Sequence, residues 1–512
     1  MKRIFHLSLF LMLVRITGTV SVSAQDVLVL SLNESIDIAL DESYSIKQLR
    51  ESINWAEWNL WAAKAGYRTS IESHIYTPVY EEGYRLVDVV DGTPVAKQFG
   101  SQQVRGVLDL RQPMPWIPFG GADMTLRSEA YRLDSWTPST TNPDVDIKSS
   151  KFYTSLSLIV NKPLFTINET ALNLKRAKLS YERRSRAFKR SELDLVFQVT
   201  QTFYQLYSWS QRVEIDRDKV RRQEDIYNTT SNKFKAGLIA EVDAMQAEVD
   251  LIQYRNDLKQ SEGTMAEVAS RFKQLIGLPL EKEVRVIAEL EPQKVEVDQA
   301  RALELALANR SELVEKQIDI EEQKISIRQI DAQVSVNGNL MGYYDLSGFS
   351  DPSLPWGTDT ERLFRSSWEG LRQTPNRGFT FDLEVPLFDW GRNKAQVEAA
   401  KANLRQNELD YDNLTLDIVR EVQDVVRTVY QSWDQLQMLA KSREVGEKSF
   451  EISLKRFNNG DITSTELSRA SDQLNQAKLS YLAAYVDYKL ALADLKRKTL
   501  YDFDLDRSLV ED

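Results

Sequence analysis

The chain repeats itself. With an offset of 223, residues 163–277 lie over 386–500 without a gap. Pro163-Leu164-Phe165 falls on Pro386-Leu387-Phe388, Ala177-Lys178 on Ala400-Lys401, and Tyr207 on Tyr430. Phe234, Gly237 and Ile239 fall on Phe457, Gly460 and Ile462. An earlier stretch repeats with an offset of 267: Ile38-Ala39-Leu40 over Leu305-Ala306-Leu307, Ile46 over Leu313, Ile53 over Ile320. The offsets differ by 44, so the first half carries 44 extra residues between its early helix and its next one. Two copies of one plan must each fold in the same way, and few architectures satisfy that.

Each half follows the same order: a helix, a strand-like region, a very long helix, a turn, and another long helix. The first repeat spans 25–278, with a helix over 32–65, strands within 66–162, and long helices over 168–235 and 239–277. The second spans 298–500, with a helix over 298–332, strands within 333–386, and long helices over 391–458 and 463–500. A linker, 279–297, joins them, and an acidic tail, 501–512, follows. In the second half, apolar residues from Val397 through Leu404, Ile418, Val425 and Leu436 to Ala440 recur with the helical period, so one face stays buried throughout. At 1.5 Å per residue such a helix extends roughly 90 Å, about three times a bilayer's hydrocarbon core. Its other faces are charged, so it belongs in water and packs sideways against neighbours.

Between the helices the period changes to two. Phe379, Phe381, Leu383 and Val385 alternate with Thr380, Asp382 and Glu384; Phe152, Leu156, Leu158 and Val160 form a similar stripe. Strands of nine to eleven residues cross lipid when tilted. Tyr343, Tyr344, Phe349, Trp356, Trp368 and Trp390 in one half, and Trp116 and Trp136 in the other, suit interfacial girdles. The segment 66–160 offers up to four strand-like pieces, near 69–80, 103–112, 121–133 and 151–161, and the pattern leaves open whether two or four of them enter a membrane sheet.

Lys2 and Arg3, the apolar run Ile4 to Val14, and Val22-Ser23-Ala24 read as a signal peptide, 1–24, cleaved before Gln25. The formal charge of −11 becomes −14 once Lys2, Arg3 and Arg15 leave, which disfavours nucleic acid as a partner. The chain has no cysteine, so neither disulfides nor a lipoprotein anchor are expected. After residue 24 no apolar run approaches the roughly 18–20 residues of a membrane helix. The mature protein is then either soluble or in contact with lipid through strands, and the alternating aromatic and apolar segments favour strands. An open sheet edge in hydrocarbon leaves backbone groups unpaired, and bacterial barrels therefore close with at least about eight strands. Two hairpins supply about four, so if these strands span lipid several copies must share one barrel.

With its duplication, its Pro-Leu-Phe strand ends and its two hairpin tips, Phe234-Lys235-Ala236-Gly237-Leu238-Ile239 and Phe457-Asn458-Asn459-Gly460-Asp461-Ile462, the chain resembles the TolC-like outer-membrane efflux proteins over essentially its whole mature length. The fold class expected is mainly α with membrane β and an internal two-fold repeat. Strands from each chain enter a shared transmembrane β-barrel, continued by long antiparallel coiled-coil helices in a periplasmic α-barrel. The resemblance implies a homotrimer with a twelve-stranded barrel in the outer membrane, and an equatorial belt formed by 279–297 and the tail from 501. It implies an exit duct that docks to a periplasmic adaptor (membrane fusion) protein and an inner-membrane transporter.

Gly237 and Gly460 each follow a long helix, where a left-handed residue commonly ends it. In the family the tips face away from the membrane, so Gly237, Leu238, Gly460 and Ile462 are expected to contact the adaptor. The family's entrance is often narrowed by acidic residues six and nine positions after the second-tip glycine. Here those positions hold Glu466 and Arg469, and the first-half equivalents are Asp243 and Gln246. Three copies of Glu466 would form a ring favouring cations. Arg469 departs from the pattern and is expected to pair with Glu466 or a neighbouring subunit. The basic run Lys175, Arg176, Lys178, Arg183, Arg184, Arg186, Lys189 and Arg190 fits a solvated face paired with acids of the next helix better than a lipid-phosphate site.

No P-loop, nucleophile elbow or metal-ligand cluster stands out, and the mature chain's one histidine, His74, lies on an expected strand. No enzymatic activity, cofactor or metal is expected. The rival from another class is an exported coiled-coil rod without a pore, which would have no need of apolar strand pairs. Small-molecule efflux is the first expectation for cargo, with type I protein secretion and metal export left open.

Overall fold

A computed structural model of the chain describes residues 27–88, 94–139, 145–288, 292–371 and 375–509; the expected signal peptide lies outside them. Strand β1 (Leu28–Leu30) leads into helices α1 (Leu32–Glu42) and α2 (Tyr44–Ala65). Four strands follow: β2 (Ser70–Asp88), β3 (Pro94–Pro113), β4 (Asp123–Pro138) and β5 (Asp146–Leu164). Then come α3 (Glu169–Lys235), α4 (Glu241–Ile276) and β6 (Val284–Val286). The second half holds α5 (Gln299–Asn309), α6 (Ser311–Ala332), β7 (Asn337–Phe349), α7 (Thr360–Gly370) and β8 (Pro375–Glu384). It ends with α8 (Arg392–Asn459), α9 (Ser464–Thr499), β9 (Tyr501–Asp502) and β10 (Arg507–Ser508). Helices α1 and α5 begin and end 267 residues apart, as do α2 and α6, while α4 and α9 begin and end 223 apart.

The chain forms two compact units, one of 48–191 and 300–423, the other of the stretch up to Lys47, Glu192–Gln299 and the stretch from Asp424. In the first, β2, β3, β4, β5, β7 and β8 make one antiparallel sheet in that order. All four strands between α2 and α3 are in it. Its strands reach 19 and 20 residues in β2 and β3, not the nine to eleven expected, because the ladders run on past the apolar stretch. In the same unit α6 packs along the start of α3.

In the second unit α3, α4, α8 and α9 pack around apolar clusters such as Ile226, Phe457 and Leu467. The linker is tied down: β6 pairs in parallel with β1, and two tyrosines clamp the strand-like stretch after it. Tyr488 Oη donates to the Gln293 carbonyl at 2.7 Å and accepts from the Val295 amide at 3.1 Å. Tyr430 Oη does the same to both backbone groups of Val297, at 2.9 and 3.1 Å. The described part of the acidic tail forms a β9–β10 hairpin, where buried Asp502 meets Lys496 at 2.8 Å.

Two helices expected to be single are each broken once. Ser43 turns extended (φ −57°, ψ 134°) between α1 and α2, and Gly277 packs on the break. A Cβ at Gly277 would stand 2.5 Å from the Glu42 carbonyl oxygen, and its φ of +82° favours glycine as well. In the second half Arg310 (φ −67°, ψ 118°) interrupts α5 and α6, and its guanidinium is held by Glu312 and Glu421, both at 2.7 Å.

Candidate functional site

The sheet has two unlike faces, and the pairing register sorts its residues between them. One row across the strands reads Ile71, Leu110, Leu126, Leu158, Tyr344. The neighbouring rows add Leu108, Leu156 and Leu346 on one side and Met124, Val160 and Phe379 on the other. Phe379 is 80% exposed and Ile75 78%, so over most of its length this face is apolar and uncovered within the described residues. The opposite face carries Glu72, His74, Arg105, Asp109, Arg127, Glu129 and Asp345. Arg127 bridges to Asp109 at 2.7 Å and Arg105 to Glu129 at 2.8 Å, both across the β3–β4 ladder. A carboxylate and guanidinium lattice of this kind needs water or polar surroundings. His74 lies on this polar face beside Glu72, at 3.7 Å.

Both ends of the apolar band carry aromatics. Trp116 and Phe119 in the β3–β4 turn, and Phe165, Phe388 and Trp390 where strands give way to helices, are exposed at one end. Trp136, Phe349, Trp356 and Trp368 gather at or beyond the other end. Sequence reading missed α7, which covers the apolar face at that end. The Phe152 and Phe364 rings meet edge to face at 5.6 Å, and Ser367 Oγ donates to the Gly348 carbonyl at 2.8 Å. A Cβ at Gly348 would collide with the Ser367 carbonyl at 2.0 Å, so only glycine admits the helix. The Gly348 position, 223 residues beyond Thr125, has no glycine in the first half to flag it.

The two helical tips have one backbone geometry. Gly237 (φ +73°) and Gly460 (φ +85°) are left-handed, with the Leu238 amide donating to the Lys233 carbonyl and the Asp461 amide to the Arg456 carbonyl, each at 2.9 Å. These six-to-one bonds are Schellman ends. The tips face each other across a cleft of about 380 Å³ lined by Leu238, Asp243, Gly460, Ile462 and Glu466. Five of the eight residues singled out from sequence are thus brought together; Gly237, Gln246 and Arg469 are not among its lining. Leu238 is 73% exposed, whereas Ile462 is half-buried against the Phe457 cluster. Lys233 stitches the tips, donating to the Phe457 carbonyl at 3.2 Å with its ammonium 4.4 Å above the Phe457 ring.

Glu466 has a local structural partner that the sequence pattern could have revealed. Its Oε2 accepts from the Thr463 amide at 2.8 Å, while the Glu466 amide donates to Thr463 Oγ1 at 3.3 Å, a capping box at the start of α9. These bonds, the backbone one foremost, hold the exposed Glu466 carboxyl below its ordinary pKa. The expected Glu466–Arg469 pair within the chain is absent among the described residues, because the carboxylate turns back to the cap. Gln246 instead donates to Asp250 at 2.8 Å.

Farther along the same unit, a polar seam joins α3, α4 and α9. Arg222 donates to Asn475 at 2.5 Å, and buried Gln223 links the Ala247 carbonyl and Ser468, each at 3.2 Å. Tyr254 Oη donates to Asp472 at 3.1 Å with Lys219 3.5 Å from its ring, and burial, then Asp472, push the phenol pKa up. Two apolar stripes are left uncovered. On α4 they are Val242, Met245, Val249 and Ile252; on α8, Met438, Val445 and Ile452, spaced by seven. The basic run meets acids of α6: Lys175–Glu321 at 3.3 Å, Arg183–Asp319 and Arg183–Glu322 at 2.7 Å, and Arg190–Glu315 at 3.2 Å.

Residues 132–278 and 302–499, about two thirds of the chain, match the family described as outer membrane efflux protein. The chain belongs to that family. Its relatives include nodulation protein T of Rhizobium leguminosarum bv. viciae, 21% identical over 386 residues that cover 74% of this chain and 76% of that protein. The fold is that of the Campylobacter jejuni CmeC outer membrane channel, with a TM-score of 0.66 at 12% identity over 94% of this chain and 87% of that one. CusC, studied for transmembrane channel formation, matches with a TM-score of 0.64 at 13% identity over 91% of each chain. As an outer membrane efflux protein the chain takes part in transport at the outer membrane, and membership among channel proteins fits the expectation of no catalysis. No helix among its described residues is long and apolar enough to cross a membrane, and the family match begins only at residue 132, leaving β2, β3 and most of β4 outside it.

Proposed function

We propose that three copies of this chain assemble into one duct, a shared barrel in the outer membrane continued by a periplasmic helical tunnel. Each chain is, on this reading, two structural repeats, 25–278 and 298–500, with the belt formed by 279–297 and the tail. The observation that carries the proposal is the sheet: apolar and uncovered over most of one face, charged on the other, with β2 and β8 at its edges unpaired among the described residues. Such a sheet satisfies its backbone in lipid only by pairing with further copies. The uncovered stripes on α4 and α8 suit the same assembly in water, where each would otherwise expose several large apolar side chains.

The duct passes small molecules outward from an inner-membrane transporter, handed over by a periplasmic adaptor that contacts the tips at Gly237, Leu238, Gly460 and Ile462. Leu238, the most exposed of the apolar tip side chains, is the anchor for that contact. Glu466 and Asp243, which line the tip cleft, set the charge of the entrance together with Arg469 and Gln246.

Fractionation and assembly test this reading together. The protein should resist washing from outer membranes, need detergent, and run as a trimer. Val445→Asp and Met438→Asp on the α8 stripe should weaken that trimer at least 10-fold, as expected from losing roughly 1.5–3 kcal/mol per buried side chain. A photo-crosslinker at Leu238 should capture the adaptor. A protein that washes free with salt and stays monomeric would contradict the duct.

A further inference from the structure

We infer that all six sheet strands of each copy enter the barrel, so that the trimer closes with eighteen strands and β8 of one copy pairs with β2 of the next. This rests on the trimeric duct proposed above and goes beyond it, since the family resemblance implies four strands per chain and twelve in all.

Three observations place β2 and β3 in the membrane with the rest. The first is sidedness: Ile71 and Ile75 of β2 and Val104, Leu108 and Leu110 of β3 lie on the same face as Leu126, Leu158 and Phe379. Ile71, Ile75 and Leu108 are exposed there, while Arg105 and Asp109 of β3 turn to the other face and pair with β4. A hairpin lying in water outside the barrel would have no reason to keep this alternation in step with its neighbours.

The second is the slant of the apolar band. Followed strand by strand through the pairing register, its centre moves from near Ser73 on β2 to near Phe381 on β8, a drift of about one residue per strand. With a rise of about 3.3 Å and a spacing of about 4.8 Å, that corresponds to strands tilted roughly 35° from the barrel axis. The drift begins at β2. A membrane set formed by β4, β5, β7 and β8 alone would give no cause for the band to continue along its course into two further strands.

The third is the edge. Through the alternating strands, β2 and β8 run antiparallel to each other, as closure between copies requires. Continuing the band across the junction sets Phe379 opposite Ile75, Phe381 opposite Ser73 and Leu383 opposite Ile71, apolar face to apolar face. Pro78, which has no N–H to donate, lies at the irregularity between Tyr76 and Val79, and a bulge tolerates proline even where the strand is paired on both sides. Neighbouring copies therefore cover the two sheet edges, β2 and β8, whose backbone lipid cannot satisfy. Barrel diameter grows roughly linearly with strand number, so eighteen strands give a lumen about 1.5 times as wide as twelve, and about twice the cross-section.

The chain has no native cysteine, which makes cysteine pairs clean reporters. In detergent-extracted trimers, Phe379→Cys with Ile75→Cys should give oxidised dimers and trimers that dithiothreitol dissolves. Phe381→Cys with Leu126→Cys, the junction a twelve-stranded barrel would use between β8 and β4, should stay uncrosslinked. A sectional view of the unmodified trimer at mid-membrane should count eighteen strands. Crosslinking at the β8–β4 pair, a count of twelve, or trimers with no bond from any of Phe379, Phe381 and Leu383 to Ile71, Ser73 and Ile75 would overturn the inference while leaving the duct intact. Loss of the trimer itself would instead strike the duct.

Discussion

The helices of the two halves keep step while the strand regions between them do not. Helices α4 and α9 have the same length and the same offset at both ends, yet four strands stand between α2 and α3 where only two stand between α6 and α8. The difference follows from how each element is held. A helix packed along its whole length turns its buried face by about 100° for each added residue, so insertions are expelled. A sheet can take a complete hairpin at its edge, because two strands restore both the alternation of faces and the antiparallel order. The same contrast recurs at the tips, where the backbones agree and the side chains have drifted. Leu238 stands where the other tip has Asp461, and Ala240, without a side-chain cap, where the other has Thr463.

The strongest way to break this comparison is to put a charge on the apolar face. Phe381→Arg or Leu158→Arg should destabilise the assembled sheet by about 2–4 kcal/mol and abolish detergent-resistant trimers. Asp345→Asn on the polar face should leave them standing. The same contrast on β3, Leu108→Arg against Asp109→Asn, asks whether the β2–β3 hairpin obeys the rule of the other four strands, and equal behaviour is expected.

Next in size are the tip glycines. Gly237→Ala and Gly460→Ala force a left-handed conformation on alanine and should each cost about 1 kcal/mol, measured as faster hydrogen exchange in the last turn of α3 or α8. Nothing stands within 4 Å of either missing Cβ, so the penalty is conformational and should match between the halves. The caps should not match. Thr463→Ala should loosen the first turn of α9 by about 1 kcal/mol, and Ala240→Thr should tighten the start of α4.

The smallest effect is pH-dependent. The Glu466 carboxyl has a folded pKa below its unfolded one because it accepts from the Thr463 backbone amide and hydroxyl. Its contribution is therefore present above the ordinary glutamate value of about 4.3 and is lost as pH falls through the lower folded value. Protection of the first turn of α9 should fall in that acid window, that of α4 much less, and Thr463→Ala should remove the difference.

Much of this was legible beforehand because glycine and periodicity are local signals. Gly237 and Gly460 marked the ends of long helices, and the apolar seam through Val397 and Ile418 marked the buried side of α8. The basic run was correctly weighed as a face paired with acids, since Arg183 and Arg190 meet α6. All four strand-like pieces of 66–160 were legible, but not how many join one sheet: Pro78 and the irregularity beside it interrupt the alternation of β2, and strand pairing is a long-range contact that period alone does not fix. The breaks at Ser43 and Arg310 escaped because each is fixed by a distant contact, Gly277 in one case and Glu421 in the other. Glu466 was assigned to the entrance on resemblance, although Thr463-x-x-Glu466 is itself a cap signature that needed no third dimension.

Single-channel recording on detergent-purified protein bears most directly on the whole account. Trimers inserted into planar bilayers should pass ions, with Arg469→Ala changing the conductance or its cation preference at the entrance. Trimers that insert and never conduct, with or without that substitution, would contradict it.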